Sequence, residues 1–245
     1  MQRNKLTKNE KSKNLSDSIN QLHFPLIERS GHNQHLLIGD STMAPKSVKA
    51  YPELGWGEGL ADFVTKKTKV HNHAVNGRSS LSFINEGRWQ SVFDSLQKGD
   101  YVIIQFGHND EKTDTARHTE PFGSYQDNIR KFIEEARKKG AIPIVCSSIV
   151  RRHFDAEGNL KDTHGDYIVA AEQIARETKT PYVNMEALTR QLVSGLGPEK
   201  SKDIFLFTDT KQDSTHLNVT GADIVAGLFV ENAKGQGLSI ARQFR

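Results

Sequence analysis

The chain has 245 residues, of which 36% are hydrophobic, and a formal net charge of +3. This length suits one large domain or two small ones, and the apolar content supports a core, which excludes wholesale disorder. Residues 1–13 carry five basic side chains and one acidic side chain, a charge of +4, which leaves −1 for the remaining residues. The body therefore lacks the positive charge of a nucleic-acid-binding protein, and no nucleic-acid partner is expected.

Cysteine content and hydropathy exclude several further classes. Cys146 is the single cysteine, which rules out an intrachain disulfide and a cysteine-based metal cluster, and its apolar neighbours favour an inert buried thiol. No stretch reaches the roughly 18 apolar residues of a membrane span, and the N-terminus lacks the apolar core of a secretory signal. We expect an intracellular protein, or a secreted or periplasmic one whose signal has been removed; the oligomeric state stays open.

The chain divides into a polar N-terminal tail, residues 1–33, and a single domain, residues 34–245. Short apolar or alternating runs predict five strands, at 36–38, 68–75, 101–106, 141–147 and 181–184. Helical periodicity and caps predict helices at 55–64, 79–96 with a break at Gly87, 125–139, 168–175, 185–194 and 219–233. The segment 195–212 is predicted to be a loop with a small apolar patch, and whether it moves over a site is left open.

Strands that alternate with helices predict an α/β fold, a three-layer α/β/α sandwich around a parallel sheet of about five strands. Three of these strands end in polar clusters that contain glycine, namely Gly39-Asp-Ser41, Asn76-Gly-Arg78 and Gly107-His-Asn-Asp110. In a parallel sheet those ends lie at one edge, where open α/β sheets bind their ligands. The three clusters are therefore expected to face one crevice.

Ser41 in the first cluster is a candidate nucleophile. A serine hydroxyl reacts only when a base takes its proton and an acceptor orients that base. Asp213 and His216 are three residues apart, so a single turn or short loop can present an oriented imidazole to Ser41. The order Ser, Asp, His matches the α/β-hydrolases, but Met43 replaces the second glycine of the Gly-x-Ser-x-Gly elbow, which disfavours that fold.

Acyl transfer also needs hydrogen-bond donors aimed at the developing oxyanion, each worth about 2.7–4 kcal/mol when it is removed. The backbone N–H groups of Ser41 and Gly77 and the side-chain amide of Asn109 are candidates for these donors. Glycine allows close backbone approach, and an amide donates without titrating.

The chain resembles the GDSL/SGNH hydrolases, since Gly39-Asp-Ser41, Asn76-Gly77, Gly107-His-Asn109-Asp110 and Asp213-x-x-His216 follow the order of the four blocks of that superfamily. That fit spans residues 35–232. Within the superfamily, the chain is similar to the rhamnogalacturonan acetylesterases through Gly39-Asp-Ser-Thr-Met43, Gly55-Trp-Gly57, His73-Ala-Val-Asn-Gly-Arg-Ser79, Glu86-Gly-Arg-Trp89 and residues 99–111. Members of this family are mostly secreted, whereas this sequence shows no signal.

The resemblance implies a flavodoxin-like sheet, no metal and no cofactor, and removal of acetyl groups from an acetylated pectic polysaccharide or oligosaccharide. It implies that Ser41 is the nucleophile, His216 the base and Asp213 its orienting residue, with Ser41, Gly77 and Asn109 forming the oxyanion hole. Similar enzymes act on other acetylated polysaccharides, such as xylan, so the substrate stays open.

Two rival classes remain at this point. Gly107-His-Asn-Asp110 has the composition of the Gly-Asn-His-Asp motif of metallophosphoesterases, with Asp40 as a further ligand, although His and Asn are transposed. His71 and His73 alternate on a strand and are candidates for a metal pair, without a cysteine or a Glu-x-x-His pattern nearby. The second rival is a polysaccharide-binding module that keeps the fold but has no activity.

Other polar and aromatic residues have a structural interpretation beside the functional one. Arg78 follows Gly77 directly and is predicted to contact substrate. His108 is a candidate substrate contact, with structural support as the favoured role, and Asp110 is expected to brace its loop. Trp56, Trp89 and Arg88 suit a sugar site, although packing is favoured for both tryptophans. Arg151 and Arg152 follow a strand end and are weaker candidates for the same groove.

Overall fold

The computed structural model describes residues 33–245, so the predicted tail lies outside the described residues, apart from Asn33. Five strands form one parallel sheet: β1 (Asn33–Gly39), β2 (Thr68–Asn72), β3 (Tyr101–Gln105), β4 (Ile142–Cys146) and β5 (Tyr182–Val183). Their order across the sheet is β2-β1-β3-β4-β5, with every neighbouring pair parallel. This is the flavodoxin-like order, and the predicted fold class is confirmed.

Helices cover both faces of this sheet and complete the three layers. They are α1 (Trp56–Gly59), α2 (Ser80–Asn85), α3 (Arg88–Ser95), α4 (Gln126–Lys138), α5 (Asp166–Glu177), α6 (Met185–Lys200) and α7 (Val219–Gly235). Short helical turns occur at Val48–Ala50, Leu60–Asp62, Pro121–Tyr125, Ser201–Ile204 and Ser239–Gln243. The break expected at Gly87 separates α2 from α3, where Gly87 adopts a φ of +71°.

The side chains of β1 divide between two hydrophobic cores because successive strand residues point to opposite faces. Leu37 packs in the core that α1, α6 and α7 cover, whereas Leu36 and Ile38 pack in the core under α2 to α5. Both faces of the strand are thus buried. This explains why β1 is a continuous apolar run rather than an alternating one.

Helix α4 shows how the sequence pattern produces this packing. Ile129, Phe132, Ile133 and Ala136 recur at helical spacing and are all buried against the sheet. The helix ends just before Gly140, whose φ of +74° belongs to the left-handed region that favours glycine. The amphipathic helix and its stop signal are both confirmed.

The prediction of a loop over 195–212 is wrong. Helix α6 continues to Lys200 through a kink at Gly197, and a two-stranded antiparallel hairpin follows, formed by β6 (Phe205–Phe207) and β7 (Gln212–Leu217). Phe205 and Leu206 are buried, so the apolar patch seen in the sequence is a strand that packs into the core. Strand β7 is polar and shows no apolar alternation, and it forms because β6 pairs with it.

Candidate active site

Ser41 lies in a tight turn directly after β1. The amides of Met43 and Ala44 donate to the carbonyl of Asp40 at 3.2 and 3.0 Å, which closes one helical turn around the serine. The Asp40 carboxylate accepts two more bonds, from the amide and the hydroxyl of Thr42, at 2.9 and 2.8 Å. Asp40 therefore fixes the backbone that carries Ser41.

His216 and Asp213 meet Ser41 from β7. The Ser41 hydroxyl Oγ lies 2.8 Å from Nε2 of His216, and Nδ1 of the same ring lies 2.8 Å from Oδ2 of Asp213. The other Asp213 oxygen, Oδ1, accepts the backbone N–H groups of Thr215 and His216 at 2.8 and 3.0 Å. The carboxylate thus holds both the ring and the backbone of the histidine.

The expectation that one turn or loop presents this pair is corrected by the hairpin, because both residues belong to strand β7. The pairing of β6 with β7 shifts register between Phe205 and Leu206, and Leu206 lies opposite Asp213. The bonds that Asp213 Oδ1 accepts from the Thr215 and His216 amides bend the strand locally. Side chains three apart on a regular strand would point to opposite faces, and this bend brings them together.

The charge state of this chain of groups suits proton transfer. Burial alone would raise the pKa of Asp213, but the hydrogen bonds from the His216 ring, the His216 amide and the Thr215 amide outweigh it and hold that pKa well below its usual range. An ionised carboxylate fixes the ring tautomer with the proton on Nδ1, so that Nε2 faces the serine as an acceptor. Such an arrangement can activate the hydroxyl of Ser41 for attack on a carbonyl carbon.

The Gly77 turn is joined to the end of β1 and to Asn109. The amide of Val75 donates to the carbonyl of Gly39 at 3.0 Å, and Arg78 N–H donates to Val75 O at 3.3 Å, which closes the turn. Gly77 has a φ of +75°, the left-handed value that the third residue of a type II turn requires. The side-chain amide of Asn109 donates to the carbonyl of Arg78 at 3.1 Å. All three strand-end clusters are therefore connected to one another.

His108 is buried, with 3% of its side chain exposed, and its Nδ1 lies 3.3 Å from Oδ2 of Asp40. Burial lowers the pKa of His108 to about 4 despite the neighbouring carboxylate. Burial opposes ionisation of Asp40, but His108 and the bonds from Thr42 lower its pKa to about 2. At neutral pH a neutral imidazole therefore faces a carboxylate. This burial favours the supporting role of His108 over substrate contact.

Asp110 braces the same loop from below. Its carboxylate accepts the amide of Ser80 at 3.0 Å, the Ser80 hydroxyl at 2.5 Å and the Thr119 hydroxyl at 3.1 Å. Burial raises the pKa of Asp110 to about 7, against these bonds. Gly107 begins the loop with a φ of +147°, and a Cβ atom there would collide with the Ser148 hydroxyl. These contacts agree with the bracing role expected for Asp110.

The arginines singled out in the sequence have protein partners. Arg78 binds both carboxylate oxygens of Glu86 at 3.1 and 3.0 Å and the carbonyl of Asn76 at 2.9 Å, and about a third of its side chain is exposed. Arg151 is buried and pairs with Glu111, which also holds His164 at 3.0 Å. The guanidinium groups therefore stabilise loops around the site, and Arg78 keeps an exposed edge. Arg152 donates to the Ser201 hydroxyl at 2.9 Å.

Both tryptophans are buried, as the packing interpretation expects. Trp56 Nε1–H donates to the side-chain oxygen of Gln105 at 2.8 Å, and the Gln105 amide donates to the Thr42 hydroxyl at 2.8 Å. Thr42 then donates to Asp40. A buried hydrogen-bonded row thus links the core to the turn that carries Ser41. The Trp89 indole donates to Glu135.

Lys46 and Glu53 also lie at the site, although they were not among the residues predicted from the sequence. Both lie in the segment between β1 and α1, and the Lys46 ammonium is 2.9 Å from a Glu53 oxygen and 2.7 Å from the Ser41 carbonyl. Beside them is a cavity of about 230 Å³, whose rim includes Tyr51, 77% exposed. A lysine five residues after Ser41 was the available signal in the sequence.

Residues 33–245 contain neither a cluster of three candidate metal ligands nor a membrane-spanning helix. Across this range, no three His, Cys, Asp or Glu side chains are placed to hold a metal ion together. No helix there has the length and apolar character needed to cross a membrane. Cys146 is buried, and burial raises the pKa of its thiol.

Curated relatives share the sequence over most of its length. The chain is 36% identical over 216 residues to a rhamnogalacturonan acetylesterase of Bacillus subtilis, covering 84% of this chain and 92% of that protein. It is 30% identical to a rhamnogalacturonan acetylesterase of Emericella nidulans, covering 83% of this chain and 86% of that protein. The sequence resemblance to this group of esterases is confirmed.

Solved structures share the fold. The X-ray structure of the protein YxiM of Bacillus subtilis superposes with a TM-score of 0.75 at 27% identity, covering 85% of this chain and 58% of that chain. An acetylxylan esterase of Geobacillus stearothermophilus superposes with a TM-score of 0.60 at 19% identity, covering 81% and 93% respectively, a likeness of fold alone. Residues 37–224 match the GDSL-like lipase/acylhydrolase family. The chain belongs to that family and is a carboxylic ester hydrolase.

Proposed function

We propose that the chain is a serine esterase that removes O-acetyl groups from a plant cell-wall polysaccharide, with acetylated rhamnogalacturonan as the substrate. The observation that carries the proposal is the pair of 2.8 Å contacts that join the Ser41 hydroxyl to His216 and His216 to Asp213. The names of the curated relatives support the carbohydrate acetylesterase class and, more narrowly, the pectic substrate.

In the proposed acylation step, Nε2 of His216 takes the proton of the Ser41 hydroxyl as the oxygen attacks the acetyl carbonyl carbon. The carbonyl oxygen becomes the oxyanion of a tetrahedral intermediate. As that intermediate collapses, the bond to the sugar oxygen breaks and His216 gives its proton to the leaving sugar hydroxyl. Asp213 stabilises the positively charged imidazole without itself taking a proton.

In the deacylation step, a water molecule takes the place of the sugar. His216 accepts a proton from the water, which attacks the acetyl group on Ser41, and acetate leaves as the serine regains its proton. The exposure of about a quarter of the His216 side chain fits a ring that must meet both sugar and water. The two half-reactions use the same base and the same oxyanion donors.

The oxyanion hole in this proposal comprises the backbone N–H groups of Ser41 and Gly77 and the amide of Asn109. An amide nitrogen carries two hydrogens, and the bond from Asn109 to the Arg78 carbonyl uses one of them. The second is left for an oxyanion. The bond to Arg78 also orients the amide before substrate arrives, which avoids a cost of reorganisation in the transition state.

Asn109→Ala is expected to lower kcat for an aryl acetate by about 10²–10³-fold, because one transition-state donor is lost. KM should change little, since the donor binds the oxyanion more tightly than the ground-state carbonyl. Steady-state kinetics on the purified variant check this, with circular dichroism to verify folding. Asn85→Ala, at an exposed position of α2, is the matched control and should keep wild-type kinetics. An unchanged kcat for Asn109→Ala would remove this residue from the oxyanion hole.

A deacetylase of another polysaccharide is the alternative. Acetylated xylan is the alternative substrate, because an acetylxylan esterase has the same fold at 19% identity. Both substrates present an acetyl ester on a sugar hydroxyl, so the same chemistry serves either one. They differ in charge, because the pectic backbone carries uronate carboxylates and the xylan main chain is neutral.

Acetate release from a panel of substrates tests the function. Purified protein is incubated with acetylated rhamnogalacturonan, acetylated homogalacturonan, acetylated xylan and an aryl acetate, and free acetate is measured over time. The proposal expects the highest kcat/KM on acetylated rhamnogalacturonan, with slower turnover of the aryl acetate. A higher kcat/KM on acetylated xylan would show that the proposed substrate is wrong, whereas the proposed reaction, ester hydrolysis, would stand.

Two additions to the panel address the rival classes. Incubation with a serine-directed phosphonate should abolish acetate release, whereas a metal chelator should leave it unchanged. The reverse pattern would overturn the serine esterase proposal in favour of a metal-dependent reaction. A protein that binds the polysaccharides but releases no acetate from any of the four substrates would be a binding module.

A further inference from the structure

The Lys46 ammonium makes three contacts from a nearly buried position, with 3% of its side chain exposed. Nζ donates to the carbonyl of Ser41 at 2.7 Å and to the side-chain oxygen of Asn76 at 2.7 Å, and it lies 2.9 Å from a Glu53 carboxylate oxygen. An ammonium has three hydrogens, so all of them are used. Lys46 is therefore a fixed, charged bridge rather than a free base.

Glu53 supplies the negative charge that stabilises this bridge, because a buried ammonium without an anionic partner would lose its hydration without compensation. Its second oxygen binds Lys211 at 3.2 Å. Burial would raise the pKa of Glu53, but the bonds and charges of Lys46 outweigh it and lower that pKa. The carboxylate stays ionised at neutral pH, so the ion pair persists where an esterase works.

The bridge joins two turns that come from different strands. Ser41 follows β1, and Asn76 precedes Gly77 in the turn after β2. Apart from Gly77 and its two chain neighbours, no residue places a heavy atom within 4 Å of the position that a Cβ at Gly77 would take, so the tip of that turn is not packed against other segments. Its position relative to Ser41 depends on polar bonds, of which the two from Lys46 connect the turns directly.

The peptide unit between Asn76 and Gly77 is also held through its carbonyl oxygen. Arg78 Nη1 donates to the carbonyl of Asn76 at 2.9 Å. In a trans peptide the carbonyl of one residue and the N–H of the next point in opposite directions. The Arg78 bond therefore directs the Gly77 N–H away from the guanidinium, while Lys46 holds the Asn76 side chain toward Ser41.

We infer that Lys46 is a positioning residue for the oxyanion hole, which sets the Gly77 N–H against Ser41 through the Asn76 side chain. The inference rests on the proposed acyl-transfer function. Protein acceptors take up all three hydrogens of the ammonium, which leaves none for a substrate. Its loss shifts a donor whose bond is strong only in the transition state, so the effect falls on kcat and not on KM.

Lys46→Met keeps an unbranched apolar side chain of four heavy atoms and removes the ammonium with its three donors. With an aryl acetate, kcat is expected to fall by about 10–100-fold, because a misplaced donor loses part of what a missing one loses, and KM is expected to stay within about twofold. Lys49→Met, at an exposed position of the same segment, removes an equal charge and should keep wild-type kinetics. A folded Lys46→Met protein with unchanged kcat, or with a loss confined to KM, overturns the inference.

Coupling to Asn76 separates positioning from general stability. Asn76 is exposed, so Asn76→Ala leaves the core intact and should lower kcat by a similar factor. If Lys46 acts through Asn76, the double variant should be little worse than either single variant. Fold-changes that multiply would contradict the inference, because the two side chains would then act independently.

Lys46→Met combined with Glu53→Gln guards against a variant that fails to fold, since it leaves no unpaired carboxylate. We expect it to recover melting temperature while kcat stays low, whereas recovery of kcat together with melting temperature would show a purely structural role. Failure of the underlying function has a different signature: Ser41→Ala would then retain activity. A silent Lys46→Met beside an inactive Ser41→Ala overturns the positioning role alone.

Discussion

Ser41→Ala is expected to lower kcat for acetate release by about 10⁶-fold, the size of loss that follows removal of the nucleophile from a serine-dependent triad. The hydroxyl is the group that His216 Nε2 approaches at 2.8 Å, and without it no acetyl-enzyme can form. The oxyanion donors remain, so a small residual rate above the uncatalysed reaction should persist. Steady-state acetate release, measured with protein purified from a host that lacks esterase background, checks the number.

A second readout ties the loss to the serine itself. A phosphonate ester should label the wild-type protein once, on the peptide that contains Ser41, and should leave Ser41→Ala unlabelled in the mass spectrum. Ser47→Ala is the control, because Ser47 is exposed in the same segment and makes no capping bond with its side chain. If Ser41→Ala kept more than about 1% of the wild-type kcat, another residue would have to be the nucleophile.

The sheet was predictable because its strands are buried on both faces. Val102, Ile103 and Ile104 form an apolar run whose side chains all fill one core or the other. Such runs are short, end at glycine and alternate with helices, and these features together indicate a parallel sheet. Once the strands were located, the direction of a parallel sheet placed their polar ends at one edge.

The hairpin that carries His216 was not predictable in the same way. Strand β6 has three residues, too few for a period to appear, and β7 is a polar strand with one buried residue, Leu217. Their pairing depends on cross-strand and tertiary contacts rather than on local strand propensity. The three-residue spacing of Asp213 and His216 nevertheless indicated that both face one point. This part was predictable because the bonds that Asp213 accepts come from the next few residues of the chain.

The side chains that support the site were the least visible in the sequence. Lys46 and Glu53 stand in a polar segment, where charged residues are ordinarily solvated. Only the folded chain shows that Lys46 is buried and that its partners come from two turns. For His108, whose neighbour is Asn109, the sequence left substrate contact open beside the favoured structural role, and the burial of the ring against Asp40 agrees with the structural role. Burial is decided by packing between distant segments, which a single sequence does not display.

Asp213→Asn is expected to lower kcat by about 10⁴-fold while the protein stays folded. The asparagine oxygen can still accept one set of bonds, but an amide nitrogen facing Nδ1 donates where the carboxylate accepts. The ring would then carry its proton on Nε2, and the nitrogen that faces Ser41 would no longer accept the hydroxyl proton. Rates measured across pH 5–9 check this, and Asp209→Asn, at an exposed position between β6 and β7, is the control.

The pH dependence of stability gives this variant an independent signature. The pKa of Asp213 is held well below its usual range in the folded protein, since the bonds from His216 and Thr215 outweigh burial. A group with a depressed folded pKa contributes stability above its unfolded pKa, near 3.9, and loses that contribution as the pH falls further. Wild-type protein should therefore lose its stability advantage over Asp213→Asn progressively below about pH 4, as followed by urea unfolding. If the difference in unfolding free energy between the two proteins is the same at pH 6 and pH 3, the carboxylate is not held by these bonds. Asp213 would then not be the residue that orients His216.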